Sequence, residues 1–180
     1  PHSLHIAEEV VKIFDKHQDK VIYEPCVGTG AIAEQLLILL YRKYGKRKTL
    51  KIAERLRFAD IDSKMRKYAR TVLYLRTKEL FGQGIHFKIE KNDLETDAFD
   101  LSKMIVYGNY PFNKGNDYNY LAKIFRQQMK CGLSLGVFIG NTGTFDPRKV
   151  QAKKILGDFL NYIEVVSKID FNEVACDISM

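Results

Sequence analysis

The sequence has few cysteines and no segment of low complexity, and both absences narrow the class of protein. Its three cysteines, Cys26, Cys131 and Cys176, are odd in number and lie far apart. This spacing supplies neither a disulfide framework nor a zinc site, so we expect a reduced, cytoplasmic protein without a metal site. No repeat or linker divides the 180 residues, which are enough for one domain with a sizeable core.

Long apolar runs are also missing. No stretch approaches the roughly 18 apolar residues that a membrane span requires, and the first residues lack the pattern of a signal peptide. We therefore expect no membrane association. The chain begins at Pro1 and stops within a strand-like segment, Phe171 to Met180, which indicates a part of a longer protein.

Positive charge is what the sequence has in excess. Lys and Arg total 29 against 22 Asp and Glu, a formal net charge of +7. Such a balance suits a polyanionic partner, but many proteins share it. The cations cluster at Arg42 to Lys51 and at Lys64 to Arg76. Each run taken alone is more often the solvated face of a helix than a binding surface.

Apolar residues alternate between helical and strand spacing along the whole chain. The predicted helices are Leu4 to Phe14, Ala31 to Arg42, Ser63 to Lys78, Asp117 to Met129 and Lys149 to Leu160. The predicted strands are Val21 to Tyr23, Arg57 to Ala59, Ile85 to Ile89, Met104 to Tyr107 and Leu135 to Ile139, with strand-like segments after them. Short apolar strands between helices describe a parallel sheet covered on both faces. Because ligands of such sheets lie beyond the carboxyl ends of the strands, polar clusters there are the candidate sites.

The first such cluster is the turn Glu24-Pro25-Cys26-Val27-Gly28-Thr29-Gly30. Its glycines allow a sharp turn close to a ligand, and the helix behind it offers free amides. With Ala33 it also fits the loose dinucleotide pattern G-x-G-x-x-A, and an ordinary strand-to-helix turn is a further interpretation. A buried Glu24 carboxylate would repel a pyrophosphate but attract a cation, such as the amino or sulfonium group of S-adenosylmethionine.

Acidic residues follow the next two strands. Asp60 ends the second strand, where a carboxylate can accept both ribose hydroxyls of an adenosine. Asp62 is interpreted instead as the cap of the next helix. Asp93 follows the third strand and would accept a hydrogen bond from the amino group of the cofactor's adenine, although a loop aspartate needs no ligand to explain it.

The most informative segment is Asn109-Tyr110-Pro111-Phe112, which follows an apolar strand. An Asx-Pro turn does not explain an aromatic residue fixed by a proline next to an amide. The amine of adenine is a poor nucleophile, because its lone pair is delocalised into the ring. The Asn109 oxygen and a nearby backbone carbonyl would hold both amine hydrogens and direct the nitrogen at a methyl donor. Phe112 would stack on the base, which has to be flipped out of a duplex.

In their order along the chain these residues resemble the adenine-specific DNA methyltransferases of restriction-modification systems, in the gamma arrangement of the amino-methyltransferases. The resemblance covers nearly the whole chain. Pro1 to Val11 resembles the helix before the cofactor loop, and Glu24 to Gly30 resembles the E-P-x-x-G-x-G loop itself. Asp60 and Asp93 correspond to the ribose- and adenine-binding acids. Asn109 to Phe112 resembles the (N/D/S)-P-P-(Y/F/W) motif, and Lys153 to Asp177 resembles the strand-rich end of the family's catalytic domain.

The resemblance implies a Rossmann-like, doubly wound sheet of seven mostly parallel strands, the class I S-adenosylmethionine-dependent methyltransferase fold, with residues 1–180 as its catalytic domain. It implies S-adenosylmethionine as cofactor, DNA as partner, and methyl transfer to a flipped-out adenine. The implied cofactor-binding residues are Glu24, Pro25, Cys26, Gly28, Gly30, Asp60, Ile61, Asp93, Leu94 and Asn109, and the implied catalytic residues are Asn109, Tyr110, Pro111 and Phe112. No target-recognition domain is visible, so specificity for the DNA sequence would lie outside this chain or in a specificity or restriction subunit.

Tyr110 departs from the family motif, which has a proline there; the position contributes a backbone carbonyl, which any residue supplies. The form N-x-P-(Y/F) also occurs in the ribosomal RNA adenine dimethyltransferases, which makes RNA the leading alternative substrate. The Glu24-Pro25 opening and the segment Asn113-Lys114-Gly115 look more like the DNA enzymes. The sequence is also compatible with a protein-glutamine methyltransferase, a dinucleotide-dependent oxidoreductase or a non-catalytic methyltransferase relic.

Overall fold

Helices and strands alternate along the described residues, apart from one pair of consecutive strands. The computed structural model describes residues 2–92, 101, 104–110, 116–129, 135–139 and 148–157. The helices are α1 (His2–Lys16), α2 (Ala31–Ala53), α3 (Ser63–Phe81), α4 (Asn116–Met129) and α5 (Val150–Leu156). The strands are β1 (Val21–Glu24), β2 (Leu56–Asp60), β3 (Ile89–Lys91), β4 (Met104–Asn109) and β5 (Leu135–Ile139). The predicted α/β class is confirmed.

These strands form one parallel sheet in the order β3-β2-β1-β4-β5. Ile22 of β1 pairs with Leu56 on one side and with Ile105 on the other. From β1 the sheet continues to β2 and β3 on one side, and from β4 it continues to β5 on the other. The strand order therefore reverses between β1 and β4, and a crevice opens there beyond their carboxyl ends. The doubly wound arrangement is confirmed. The described residues contain five of the seven predicted strands, and the segment predicted to supply the others lies beyond residue 157, outside them.

Two apolar clusters cover the two faces of the sheet. One contains Ile22 and Ile105 with buried residues of α1, α2 and α3, and the other contains Tyr23 and Val106 with buried residues of α4 and α5. Successive residues of a strand point to opposite faces, which is why neighbours in sequence enter different clusters. The predicted burial of the sheet on both faces is therefore confirmed.

The strand predicted over Ile85 to Ile89 was placed too early. It forms only at Ile89–Lys91, where it pairs with the end of β2. Ile85 donates its backbone N–H to a threonine hydroxyl of α3 at 2.8 Å. Phe87 packs edge-on against Phe58 of β2, with ring centroids 5.2 Å apart. These apolar residues fill the core from a connecting segment, which their spacing alone does not reveal.

Helix α2 is longer than predicted. The prediction ended at Arg42, whereas the helix continues to Ala53 through a kink at Gly45, where φ is 71° and ψ 174°. After the kink Thr49 is buried and donates its hydroxyl hydrogen to the Gly45 carbonyl at 2.8 Å. The cations of the run Arg42 to Lys51 lie exposed on both sides of this kink. The run therefore forms a solvated face of the helix, as predicted for such a run taken alone.

Helix α3 begins as predicted. Asp62 is its cap, and the carboxylate accepts the backbone N–H groups of Lys64 at 2.6 Å and of Met65 at 3.3 Å. These are amides that the start of a helix leaves without partners. Of the helices that the structure describes, none has the length and apolar character needed to cross a bilayer.

Candidate functional site

The predicted polar residues meet at the carboxyl edge of the sheet. Glu24 ends β1, Asp60 ends β2 and Asn109 ends β4. Glu24 and Asp60 are close enough to act on each other electrostatically, and both act on Cys26 in the turn after β1. Because β1 and β4 are the strands between which the order reverses, these residues surround the crevice where doubly wound sheets bind ligands.

The glycine turn adopts a backbone conformation that suits glycine. Gly28 has φ 52° and Gly30 has φ 86°, both in the left-handed region. Val27 donates its N–H to the Ala59 carbonyl of β2 at 2.9 Å, and Gly30 donates to the Val27 carbonyl at 2.8 Å. A Cβ at Gly28 would have no described atom within 4 Å. The turn is thus held from the β2 side and borders open space at Gly28.

Asp60 holds the turn in place. Its Oδ2 accepts the backbone N–H of Gly28 at 2.8 Å, and its Oδ1 accepts the N–H of Asp62 at 2.9 Å. The residue is buried. A carboxylate has about four acceptor sites, so each oxygen keeps capacity for another donor. The sequence predicted a ribose-binding acid here, and the structure adds a role that the sequence did not reveal.

Glu24 is the most unusual group of the site. It is only 1% exposed. Burial raises the pKa of the Glu24 carboxyl well above its ordinary value, the nearby Tyr107 hydroxyl opposes that shift, and the charge of Asp60 adds to it. No described residue lies in hydrogen-bond geometry with its Oε2. A buried acceptor without a donor costs about 1–3 kcal/mol, and a cationic ligand would remove that cost.

Cys26 is partly buried, and its thiol has no disulfide partner in the part of the chain that the structure describes. Burial, followed by the charges of Asp60 and Glu24, raises the pKa of this thiol to about 12. The thiol is therefore protonated at neutral pH and is neither a ready nucleophile nor a ready metal ligand. It packs against the apolar cluster of α4 and α5. In the described part of the chain, no group of His, Cys, Asp and Glu side chains is arranged to hold a metal ion.

Asn109 and Tyr110 point to different surroundings. Asn109 is exposed at the end of β4. Tyr110 is buried, with its ring stacked on Phe138 at a centroid distance of 5.7 Å. It also lies against Gly108, where a Cβ would come within 3.2 Å of the ring. The Tyr110 side chain thus belongs to the core, and its backbone alone is available to a ligand at the crevice.

The remaining predicted residues divide into two groups. Pro25 is buried behind the turn, whereas Ile61, directly after Asp60, is 55% exposed and offers apolar surface beside the site. The others lie outside the described residues, and their predicted roles stay predictions. They are Asp93, Leu94, Pro111 and Phe112.

Two buried polar residues at this edge were not anticipated. Tyr107 of β4 is fully buried, and its hydroxyl has no hydrogen-bond partner among the described residues. Asn92, just after β3, donates its side-chain N–H to the Tyr23 hydroxyl at 2.7 Å, whereas its Oδ1 accepts from none of the described residues. In the sequence Tyr107 looks like an ordinary apolar strand position, and Asn92, between Lys91 and Asp93, looks like part of a polar loop. Only the pairing of the strands brings them to the site.

Comparison with known proteins adds little to this geometry. No family model matches the chain, and no curated protein matches it. Among solved structures it is similar to the crystal structure of a predicted N6-adenine-specific DNA methylase from Listeria monocytogenes str. 4b F2365, with 12% identity and a TM-score of 0.49. The match covers 92% of this chain and 48% of the other, so this chain spans about half the length of that structure. Similarity at this level establishes no family.

Proposed function

We propose that this chain is an S-adenosylmethionine-dependent methyltransferase that acts on the exocyclic amino group of a flipped-out adenine in DNA, in a restriction-modification system. The observation that carries the proposal is Glu24, a buried carboxyl group where the strand order reverses, with one oxygen that has no hydrogen-bond partner among the described residues. The Gly28 turn beside it leaves open space for a ligand.

The charge of the crevice favours a cationic cofactor over a dinucleotide. Glu24 and Asp60 are both buried acids at the same edge, and no cation acts on the Glu24 carboxyl within the described residues. A pyrophosphate beside these two groups would be repelled when they are ionised. A cation there would satisfy Glu24 Oε2 and favour its charged form.

The residues present fit S-adenosylmethionine. Glu24 would hold its cationic end, and the open side of Gly28 would admit the cofactor close to the backbone. Asp60 would use its free acceptor sites for the ribose hydroxyls, and the exposed Ile61 would contact the adenine ring. When bound, the cofactor supplies an electrophilic methyl group.

The substrate pocket would lie at the end of β4. The exposed amide of Asn109 and the backbone carbonyl of Tyr110 would accept the two hydrogens of the target amine and orient its nitrogen. The choice of adenine in DNA depends on the resemblance of Asn109 to Phe112 to the family motif. The net charge of +7 is compatible with a nucleic acid substrate. Adenine in ribosomal RNA is the second candidate, because Tyr110 stands where the DNA enzymes have proline.

One assay distinguishes the candidates. The purified protein, with cofactor labelled in its methyl group, is offered duplex DNA, ribosomal RNA and protein in separate reactions. We expect label in DNA, recovered as a methylated adenine amino group. Label confined to RNA would select the second candidate. Tight binding of a nicotinamide cofactor without binding of S-adenosylmethionine would overturn both.

Substitution of Asn109 tests the pocket. Asn109→Ala is expected to abolish methyl transfer while preserving the fold and cofactor binding, because the side chain is exposed. Gln83→Ala is the matched control, since Gln83 is an exposed amide that lies before β3, at the opposite edge of the sheet. If Asn109→Ala transfers methyl groups as fast as Gln83→Ala, the catalytic assignment is wrong.

A further inference from the structure

Two buried polar groups lie side by side where the strand order reverses. Tyr23 of β1 pairs with Val106 of β4, so the next residues along these parallel strands, Glu24 and Tyr107, are neighbours. Strand residues alternate between faces, and both side chains therefore point to the face covered by α1, α2 and α3. Tyr107 belongs to the apolar cluster of that face.

The two groups are close but not hydrogen-bonded. The Tyr107 hydroxyl is near enough to the Glu24 carboxyl to favour its ionised form. Even so, neither Tyr107 Oη nor Glu24 Oε2 lies in hydrogen-bond geometry with any described residue. Folded proteins rarely leave two adjacent buried polar atoms without hydrogen bonds, and a ligand that supplies the missing partner explains this pair.

On the basis of the proposed function, we propose that Tyr107 is a positioning residue for Glu24, donating a hydrogen bond that holds the ionised carboxylate toward the cationic end of the cofactor. An ionised carboxylate only accepts hydrogen bonds, and a phenol O–H donates one. Bonds to an ionised acceptor are shorter and roughly twice as strong as neutral ones. Burial and the nearby Glu24 charge raise the pKa of the Tyr107 hydroxyl well above its ordinary value, so it remains a donor.

The groups around Glu24 leave Tyr107 to stabilise its ionised form. Asp60, from β2, disfavours the ionised form of Glu24. Cys26, from the turn after β1, and Tyr110, directly after β4, are uncharged at neutral pH, because burial above all raises the pKa of each. Of the groups that act on Glu24 in the described part of the chain, Tyr107 is the one that favours its charged form. The cofactor's cation and this hydroxyl would thus stabilise the same ionised state.

The test measures cofactor affinity and stability together. S-adenosylmethionine is titrated into purified wild-type protein, Tyr107→Phe and the control Tyr41→Phe, whose ring packs against Phe81 of α3. Loss of a hydrogen bond to a charged group predicts a Kd roughly 10- to 100-fold weaker for Tyr107→Phe, with no change for the control. Without cofactor, at a pH where Glu24 is protonated, Tyr107→Phe should be at least as stable as wild type, because it removes a hydroxyl that has no partner among the described residues.

The pH dependence of binding separates positioning from packing. Wild-type affinity should rise with pH until Glu24 is ionised in the free protein, because the cation requires the carboxylate. Tyr107→Phe lacks a donor that favours the charged form, so this rise should occur at higher pH. A residue that only packs would leave the midpoint unchanged.

Each contrary outcome has a distinct meaning. If wild type binds S-adenosylmethionine and Tyr107→Phe matches it in Kd and in pH midpoint, the inference is wrong and the proposed function stands. At a pH where Glu24 is protonated, a Tyr107→Phe protein less stable than wild type without cofactor also contradicts it, since the hydroxyl would then serve the fold. If wild type does not bind S-adenosylmethionine, the proposed function is wrong and the inference falls with it.

Discussion

The Asp60 carboxylate accepts the backbone N–H of Gly28 at 2.8 Å, so an acid at the end of one strand holds the turn that follows the neighbouring strand. The second oxygen of the same carboxylate accepts the N–H of Asp62 at 2.9 Å, just before α3. One buried side chain therefore connects the turn after β1 to the turn after β2. Any ligand that binds Asp60 binds a group already fixed at both oxygens.

Replacing Asp60 should destabilise the fold before any effect on a ligand is considered. Asp60→Ala leaves the N–H groups of Gly28 and Asp62 without their charged acceptor, which predicts a loss of roughly 1.5–3 kcal/mol in the free energy of unfolding. Urea denaturation without cofactor measures it. Asp62→Ala, which removes the cap of α3, is the control and should cost less. An Asp60→Ala protein as stable as wild type would contradict this arrangement.

Glu24 predicts a dependence of stability on pH. Its pKa is raised above the ordinary value of 4.5 in the folded protein, chiefly by burial. As pH rises from that value through the folded pKa, the unfolded chain loses a proton that the folded protein keeps, so stability falls. Glu24→Gln removes this loss, and its stability advantage over wild type should grow across the same window.

Urea denaturation of the cofactor-free protein from about pH 4 to about pH 8 checks this expectation. Glu54→Gln is the control, because Glu54 is an exposed glutamate at the end of α2 and lacks the burial that causes the effect. Parallel pH profiles for wild type and Glu24→Gln would show that the buried carboxyl is not the origin of the dependence.

Two glycines with positive φ allow a matched test of the open space at the turn. Gly28 has φ 52° and Gly82, at the end of α3, has φ 74°, and a Cβ at either would meet no described atom within 4 Å. Alanine should cost roughly 1–2 kcal/mol of stability at each, from the left-handed conformation alone. Calorimetric titration should then show weaker S-adenosylmethionine binding for Gly28→Ala only. Equal affinities would mean that the ligand does not approach Gly28.

Gly108 should control the position of Tyr110. A Cβ at Gly108 would come within 3.2 Å of the Tyr110 ring, so Gly108→Ala forces that buried side chain to move. We expect a stability loss of about 1–3 kcal/mol. We also expect a fall in kcat for methyl transfer, because the Tyr110 carbonyl moves with its residue, while the Kd for the cofactor is retained. An unchanged kcat would show that the backbone of Tyr110 does not hold the substrate.

Much of the architecture could be predicted from local patterns. The alternation of short apolar strands with helices indicated a buried parallel sheet, and the Asp62 cap and the glycine turn were identified where they occur. The position of the strand at Ile89–Lys91 and the extension of α2 beyond Gly45 were not predicted. Phe87 packs on Phe58 from a connecting segment, and the spacing of apolar residues does not distinguish such a core-filling segment from a strand.

The sequence by itself determined which chemical groups follow which strands: Glu24 and two glycines after one, Asp60 after the next, Asn109 after another. Those assignments are local, because each depends on a strand end and the few residues beyond it. Only the tertiary structure decided that Asp60 holds Gly28, that Tyr107 neighbours Glu24, and that the Tyr110 ring is buried while Asn109 is exposed. The physical reason is strand order and register: β1 lies between β2 and β4, which are far from it in sequence. Burial and electrostatic coupling arise only when those strands pair.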